Sequence, residues 1–301
     1  MSHRFGFNMN IEELVFFFLT VFFMLFVAPS AEPAEVIVVG EVGLKPVHDV
    51  ISGIRETMRA DFEVYSPKSV KGRLNKVVEK ENSRLVIALG RESIDDALGL
   101  PPSIPVLYAL VITPPIVNRN NMTGFYMATP VGKYVDIIRD YLPSLRRIAV
   151  PGSRETIKTM GAAYYPQVVP YYVKNSYEFV NALESLENVD AILLLPDPFV
   201  LTATAVEKVY LLSLKKGIPI LGLSEKYVKQ GALFALVFDS QETGRQIGKT
   251  ASRIMAGEVD PGSIPPSPSP KFDLFINMDT ARQMGIRVPS GLLKQAKEVY
   301  P

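Results

Sequence analysis

Short apolar runs that alternate with amphipathic helical segments constrain the fold of this chain more than any other feature. Three such runs in the first half lie at residues 36–40 (VIVVG), 85–90 (LVIALG) and 105–111 (PVLYALV). They are too short for typical helices and rich in β-branched residues, so they predict buried strands. Residues 47–60, between the first two runs, have the spacing of an amphipathic helix. The order strand, helix, strand predicts a parallel sheet covered by helices.

The alternation pauses at residues 113–115 (TPP) and then resumes as far as residue 238. Two series of similar size predict an α/β fold with two Rossmann-like lobes, each with a parallel sheet. The C-terminal pieces, including short helices predicted at residues 278–284 and 290–299, are too few to bury a core alone, so they return to the lobes through crossing strands. We therefore predict a leader at residues 1–30, a first lobe from residues 35–122 and 241–275, and a second lobe from residues 123–240 and 276–301.

Composition excludes several classes of function. The 301 residues have a net charge of +1, which argues against a nucleic-acid surface because such surfaces need basic patches. There is no cysteine and there are two histidines, of which His3 lies in the leader. Thiol nucleophiles, thiolate metal sites and disulfides are therefore excluded, and histidine chemistry depends on His48 alone.

The N-terminus predicts export. Residues 14–28 (LVFFFLTVFFMLFVA) form an apolar block of 15 residues, which is short for a membrane span of about 20. Small residues at Ala28 and Ser30 fit a signal peptide cleaved after Ser30. An uncleaved anchor and an incorrectly assigned start site are the alternatives. A cleaved signal or an anchor would place the body at residue 35 and beyond outside the inner membrane.

Residues 190–200 (DAILLLPDPFV) carry the most informative local signal. The apolar run stops at Asp197, which lies between two prolines that cannot continue a sheet ladder. Ligands of open α/β sheets bind beyond the carboxyl ends of the strands. A buried carboxylate needs a partner, so Asp197 either pairs with a cation of a ligand or caps the helix that starts near Thr202.

Four stretches match one family in unbroken order: DAILLLPDPFV, GIPILGLSEKYVKQGAL, ETGRQIGKTASRIMAGE and FDLFINMDTARQMGIRVP. With these stretches the chain from residue 190 onward resembles the ABC-transporter substrate-binding protein family, whose best-known members bind aromatic amino acids. A weaker collinear match, including KPVHD at residues 45–49 and NMTG at residues 121–124, covers the first half. The resemblance implies a type I periplasmic binding protein, in which two lobes clamp a ligand and the carboxylate at Asp197 can pair with its ammonium group.

Two segments depart from the family pattern. Typical members carry an aspartate–proline pair after the fourth strand, where this chain has ITPP at residues 112–115. Many members carry a tyrosine–asparagine–proline–x–glutamate element that lines the cleft, where this chain has VPGSRE at residues 150–155. The resemblance therefore implies the fold more specifically than the ligand.

Other candidate ligand-binding residues follow predicted strands at the same sheet edge. Gly90, Arg91 and Ser93 begin a helix after the third strand, and Ser153 and Arg154 begin one at the equivalent point of the second series. Helix N-termini favour anions, so both places suit a ligand carboxylate; an ordinary cap with a surface arginine is the alternative. The remaining candidates, for which loop, cap or core roles are the alternatives, are Glu41, Lys45, Ser224, Asp239, Tyr108, Tyr126 and Phe199.

These observations predict a monomeric, non-enzymatic binding protein of the periplasm, either free or held at the inner membrane by an uncleaved helix. It clamps a small solute, which the resemblance suggests is an amino acid or related zwitterion, and delivers it to an ABC permease in the inner membrane. The alternative is a sensor or adaptor with the same fold. We predict no catalytic residues, cofactor, metal or nucleic acid, since no nucleophile–histidine–acid set can be assembled around His48.

Overall fold

The computed structural model describes residues 35–116 and 119–301, so the predicted leader lies outside the described residues. The described strands form one sheet of six strands and one of seven, each flanked by helices. This architecture confirms the predicted α/β fold with two Rossmann-like, mostly parallel sheets. Within residues 35–116 and 119–301 no helix combines the length and apolar character that crossing a membrane requires.

The elements follow one another in the alternating order that the sequence predicts. In the described part of the chain the strands are β1 (Val36–Val39), β2 (Phe62–Tyr65), β3 (Leu85–Leu89), β4 (Val106–Val111), β5 (Met122–Tyr126), β6 (Ile148–Gly152), β7 (Val168–Tyr172), β8 (Ala191–Leu193), β9 (Ile220–Gly222), β10 (Phe234–Phe238), β11 (Ser267–Pro268), β12 (Phe272–Asn277) and β13 (Ala296–Tyr300). The α-helices are α1 (Lys45–Thr57), α2 (Pro67–Val70), α3 (Leu74–Lys80), α4 (Arg91–Ala97), α5 (Val131–Tyr141), α6 (Arg154–Thr159), α7 (Ser176–Glu184), α8 (Ala203–Lys216), α9 (Glu225–Lys229), α10 (Ser240–Met255), α11 (Met278–Gln283) and α12 (Ser290–Leu293).

The first lobe is built on the sheet β2-β1-β3-β4-β5-β11, in which every pairing is parallel. Strands β1 and β3 are buried along their whole length because helices cover both faces of the sheet. The second lobe is built on β7-β6-β8-β9-β10-β12-β13, where only the β10–β12 pairing is antiparallel. In both lobes the carboxyl ends of the central parallel strands therefore lie at one edge of the sheet.

Helix α10 packs on α1 although almost 200 residues separate them in the chain. Two glycines allow the close approach: a Cβ atom on Gly53 would lie 2.1 Å from the Gln241 carbonyl oxygen, and one on Gly244 would lie 2.1 Å from the Val50 carbonyl oxygen. The Thr57 hydroxyl donates to the Arg245 carbonyl at 2.9 Å beside this contact. The first lobe thus takes an essential core helix from the C-terminal part of the sequence.

The described chain crosses between the lobes three times: after β5, between β10 and α10, and between β11 and β12. The last two crossings are bonded to each other. The buried hydroxyls of Thr243 and Ser269 are 2.8 Å apart, and Lys271 Nζ lies 2.8 Å from Asp239 Oδ2. The Asp239 carboxylate also accepts from the Glu242 amide at 3.0 Å and so caps α10. These bonds hold two of the crossings between the lobes together.

Three elements differ from the sequence predictions. Strand β5 pairs with β4 in the first sheet and β12 pairs with β10 in the second, whereas the predicted boundaries at residues 122 and 275 put most of each strand in the other lobe. Residues 290–299 are not one helix, because α12 ends at Leu293 and β13 follows. The reason is pairing with β12, which adds these residues to the sheet edge despite their helical spacing.

Candidate functional site

Two cavities lie at the facing edges of the two sheets, and Met127 in the first crossing lines both, so we treat them as two halves of one cleft between the lobes. We call them the apolar half, of about 320 Å³, and the charged half, of about 490 Å³. The apolar half is lined by Ile112, Met127, Ala128, Thr129, Tyr134, Leu193, Leu194, Leu195, Pro196, Leu223, Ser224, Tyr227, Leu236, Val237 and Phe238. The charged half is lined by Glu41, Leu44, Pro46, Val47, Pro67, Lys68, Leu89, Gly90, Arg91, Glu92, Ser93, Leu110 and Met127.

The apolar half lies against the ends of β8, β9 and β10 in the second lobe, and no charged side chain lines it. Its polar groups are mostly bonded within the protein. The buried Tyr134 hydroxyl donates to the Gly222 carbonyl at 2.7 Å and accepts from the Leu236 amide at 3.3 Å, and burial raises its pKa. Thr129 Oγ1 donates to the Leu236 carbonyl at 2.8 Å. The wall is therefore fixed by internal bonds and presents mainly carbon atoms.

Ser224 differs from Tyr134 and Thr129 in the apolar half. It stands at the N-cap position of α9, yet its hydroxyl makes no capping bond. The sequence leaves cap and ligand-contact roles open for this residue. In the structure the half-buried hydroxyl lines the cavity without a capping partner, so it can donate to or accept from a bound molecule.

The charged half lies at the ends of β1 and β3 in the first lobe. Glu41, Lys68 and Glu92 are exposed there and form no ion pair among the described residues, while Arg91 Nε lies 3.0 Å from Asp95 Oδ1. Both signs of charge are therefore available at one rim. Because all these side chains are exposed, they can reorient when a solute arrives.

Gly90 and Ser93 shape the backbone of the charged half. Gly90 has a φ of +90°, a region that residues with a side chain rarely adopt, and this conformation turns the chain from β3 into α4. Ser93 is fully buried, and its hydroxyl donates to the Leu89 carbonyl at 3.0 Å. The Ser93 hydroxyl therefore has an internal partner, while the residue still forms part of the cavity wall.

Asp197 is 2% exposed and lies beside the cleft without lining either half. One carboxylate oxygen accepts from the Ser153 amide at 3.0 Å, and the other accepts from the Phe199 amide at 3.1 Å. Burial alone would raise the pKa of Asp197, but hydrogen bonds from Ser153, Thr156 and Phe199 outweigh it and lower the pKa. The carboxylate therefore has partners within the protein and joins the loops that follow β6 and β8. It is not the cap of the helix that starts near Thr202, because Thr202 caps that helix itself, with its side chain accepting from the Ala205 amide at 3.3 Å.

The remaining predicted residues divide between rim and core. Phe199 is 78% exposed beyond β8, and the Arg154 guanidinium stacks 4.6 Å from the centre of the Tyr172 ring at the same sheet edge. Lys45 pairs with Asp49 at 2.6 Å and lines neither half.

Tyr108 and Tyr126 belong to the core of the first lobe. Tyr108 is buried beside Gly124, its hydroxyl has no hydrogen-bond partner among the described residues, and burial raises its pKa to about 12. Tyr126 is half-buried and packs against the cores of both lobes.

Of the predicted site residues, the structure places Glu41, Gly90, Arg91 and Ser93 in the charged half and Ser224 in the apolar half. Ser153, Arg154, Asp197 and Phe199 meet at the neighbouring edge of the second lobe. Ligand contact stays a prediction for every one of them.

The sequence reasoning missed most of the apolar half, in particular Ile112, Tyr134 and Leu236. Leu236 and the neighbouring Phe238 fall in the last part of β10, so their place near the sheet edge was available from the strand pattern. Tyr134 lies on α5, the helix that follows the first crossing. Its position in the wall of the cavity depends on how that helix packs, and no local sequence pattern indicates this packing.

A family model described as ABC transporter substrate binding protein matches residues 64–300. The chain belongs to this family. Its members are binding proteins rather than enzymes, which agrees with a cleft between two lobes. No curated protein matches the chain.

Three solved structures illustrate the fold of the family. The ABC domain of Streptococcus pneumonia in complex with L-Trp shares 20% identity at a TM-score of 0.54, covering 88% of this chain and 99% of its own. A conserved domain protein of Vibrio cholerae O1 biovar El Tor shares 22% identity at a TM-score of 0.54, covering 89% and 99%. The ligand-free, open structure of CD0873, a substrate-binding protein with adhesive properties from Clostridium difficile, shares 17% identity at a TM-score of 0.66, covering 89% and 99%. At these identities the likeness shows the fold alone.

Proposed function

We propose that this chain is the extracytoplasmic solute-binding component of an ABC importer and that it clamps a small amphipathic solute between its lobes. One observation carries the proposal: an apolar cavity against the second lobe and a charged cavity at the first lobe share Met127, a residue of a crossing segment, as a lining residue. A molecule that contacts both walls bridges the lobes. Such a molecule shifts the open–closed equilibrium toward the closed form, which a membrane partner can recognise.

The solute we propose is an amino acid or a related zwitterion with a large apolar or aromatic side chain. The apolar half has no charged lining residue, so placing a charge there would incur a desolvation cost without compensation. It therefore suits the apolar part of the solute, with the Ser224 hydroxyl available to one polar atom. The charged half offers Arg91 and Lys68 to a carboxylate and Glu41 and Glu92 to an ammonium group. The L-Trp complex of the Streptococcus pneumonia domain is consistent with this class.

A thermal-shift screen of the purified chain tests the ligand class. The panel contains aromatic, branched aliphatic, acidic and basic amino acids, the matching amines and carboxylic acids that lack one charge, and nucleobases. We expect aromatic or large aliphatic amino acids to stabilise the fold most, by about 2.7 kcal/mol at 100 times the Kd, which corresponds to an increase in Tm of roughly 5–10 °C. A strong shift with acidic solutes alone would contradict the apolar binding mode, and no shift with any solute would contradict a binding role.

A sensor or adaptor that uses the same cleft is the alternative function. It is favoured by the loop after β6, where the Ser153 amide is bonded to Asp197 and so is not free for a solute. Pull-down from detergent-solubilised membranes of the native host, with and without the best solute, distinguishes the two functions. Recovery of a permease and its ATPase supports the importer, whereas solute-dependent recovery of a receptor supports the sensor.

A further inference from the structure

A second large groove, of about 750 Å³, lies on the first lobe away from the cleft. It is formed by the ends of α1 and α10 and by the residues that precede β1 and β3. Arg59, Arg84, Lys249 and Arg253 line it, together with one carboxylate, that of Glu35. Four cations around one groove contrast with the net charge of +1 for the whole chain. We call this surface the basic groove.

The cations of the basic groove are only weakly neutralised. Arg59 and Lys249 are exposed and form no ion pair within residues 35–116 and 119–301. Arg84 lies 3.6 Å from Glu35 and donates to the Met255 carbonyl at 2.9 Å. Arg253 lies 3.6 Å from Glu258, an exposed carboxylate just past the end of α10. Both ion pairs are long and exposed, so the groove keeps a net positive charge, and two of its cations form no ion pair with the described residues.

The place of the basic groove in the chain indicates what covers it. Glu35 forms part of the groove wall, and the apolar block at residues 14–28 ends only seven positions earlier. A fully extended chain spans at most about 3.6 Å per residue, so the groove lies within roughly 25 Å of the end of that block. While the apolar block is in a membrane, the basic groove is therefore held near the lipid headgroups.

We propose that the basic groove binds the anionic phospholipid headgroups of the membrane from which the N-terminal segment emerges. Arginine pairs with phosphate oxygens through two parallel hydrogen bonds, and each lysine or arginine near an anionic bilayer strengthens binding about fivefold. Strands β1 and β3 begin at the groove and end at the charged half of the cleft. Headgroups in the groove therefore leave the cleft accessible to solute, and the proposal does not depend on which solute binds.

The absence of cysteine allows a direct test with the full chain as it is recovered from cells. Ser252→Cys places a fluorescent label in the groove, and Thr204→Cys places one on an exposed position of α8 in the second lobe. The readout is quenching by lipids with a nitroxide on the headgroup, in phosphatidylcholine vesicles with and without phosphatidylglycerol. We expect quenching at position 252 to exceed that at position 204 several-fold, only when phosphatidylglycerol is present, and to fall in high salt.

Charge reversal completes the test. Arg59→Glu combined with Lys249→Glu should weaken the phosphatidylglycerol-dependent quenching at position 252 by at least about 25-fold. Lys208→Glu reverses a charge at an exposed site of the second lobe and should leave the quenching at position 252 unchanged. Unaltered thermal unfolding shows that the variants fold. Equal quenching at both labels, equal quenching in neutral vesicles, or full quenching in the folded double variant would each overturn the proposal, since the N-terminal segment alone would then account for membrane contact.

Discussion

The apolar half of the cleft is lined mainly by strand ends of the second lobe, where Tyr134 and Thr129 are bonded within the protein, whereas the charged half is lined by exposed side chains of the first lobe. Leu193, Leu195 and Leu236 are at most 5% exposed and Tyr134 is bonded on both sides. By contrast, Glu41 and Lys68 have no ion-pair partner among the described residues. Under the proposed function, this difference divides two tasks between the walls: the fixed wall would select the shape of the solute, and the exposed side chains would rearrange to bind its charges.

The largest expected effect comes from the fixed side of this comparison. Asp197→Ala removes the acceptor of the Ser153 and Phe199 amides and leaves two part-buried donors without this partner. Each unsatisfied donor costs about 1–3 kcal/mol, so we expect the free energy of unfolding to fall by about 3 kcal/mol. Urea denaturation measures it. Asp95→Ala removes an exposed carboxylate beside the charged half and should change the free energy of unfolding by less than about 1 kcal/mol. Equal losses in the two variants would contradict the difference between a fixed and an exposed wall.

A charge introduced into the apolar half should reduce solute binding strongly. Ile112 is 47% exposed and lines this half, so Ile112→Asp should fold normally while presenting a carboxylate to the apolar part of the solute. We expect the Kd of the best solute, measured by calorimetry, to rise about 100-fold. Leu211→Asp, at a 68% exposed site on α8, is the matched control and should not change it. Wild-type affinity in Ile112→Asp would place the solute elsewhere.

Loss of one charge from the charged half should have a smaller and salt-dependent effect. Arg91→Ala removes an exposed guanidinium that is already shared with Asp95. We expect the Kd to rise about tenfold at low ionic strength and by less in high salt, because exposed charges are screened. Arg139→Ala removes a comparably exposed, ion-paired arginine from α5 and serves as the control. A loss as large as that of Ile112→Asp would show that selection and capture are not divided between the two halves.

The smallest expected effect is the pH dependence of the stability that the Asp197 carboxylate provides. Hydrogen bonds hold the pKa of Asp197 below its ordinary value, so the ionised carboxylate stabilises the fold above about pH 4 and loses this contribution as the pH falls through the lowered pKa. The stability difference between the wild type and Asp197→Asn should therefore be greatest near neutral pH and shrink as the pH falls below about 4. Urea titrations at several pH values measure it. A difference independent of pH would mean that Asp197 is not bonded as a carboxylate.

The fold was largely predictable because its signals are local. Buried parallel strands such as β1 and β3 are short, β-branched and apolar, and each is followed by a glycine and then a helix. The sheet to which a strand belongs was less predictable. Strands β5 and β12 join a sheet through pairing with β4 and β10, and their own residues do not indicate which sheet that is. Residues 290–299 show the same effect, because pairing with β12 outweighs a helical spacing.

The site was predictable only where it follows strand ends. Glu41, Gly90 and Ser224 could be proposed because parallel strands place their carboxyl ends at one edge. The apolar half is assembled from α5, a crossing segment and several strands, and its contacts depend on the tertiary arrangement of the lobes. The bonding of Asp197 also depended on tertiary structure, because its partner Ser153 lies 44 residues earlier in the chain.

The packing of α10 on α1 has a consequence for the order in which the protein matures. Val50 and Ile54 on α1 are covered by Ile247 and Ala251 of α10, so the core of the first lobe stays open until residue 255 has been synthesised. All of β6 to β10 must leave the ribosome before that helix does. If the N-terminus is exported first, as the apolar block at residues 14–28 predicts, the first lobe stays incomplete until this late helix has been made. The preceding part of that lobe would then remain able to pass through a translocon that accepts unfolded chains.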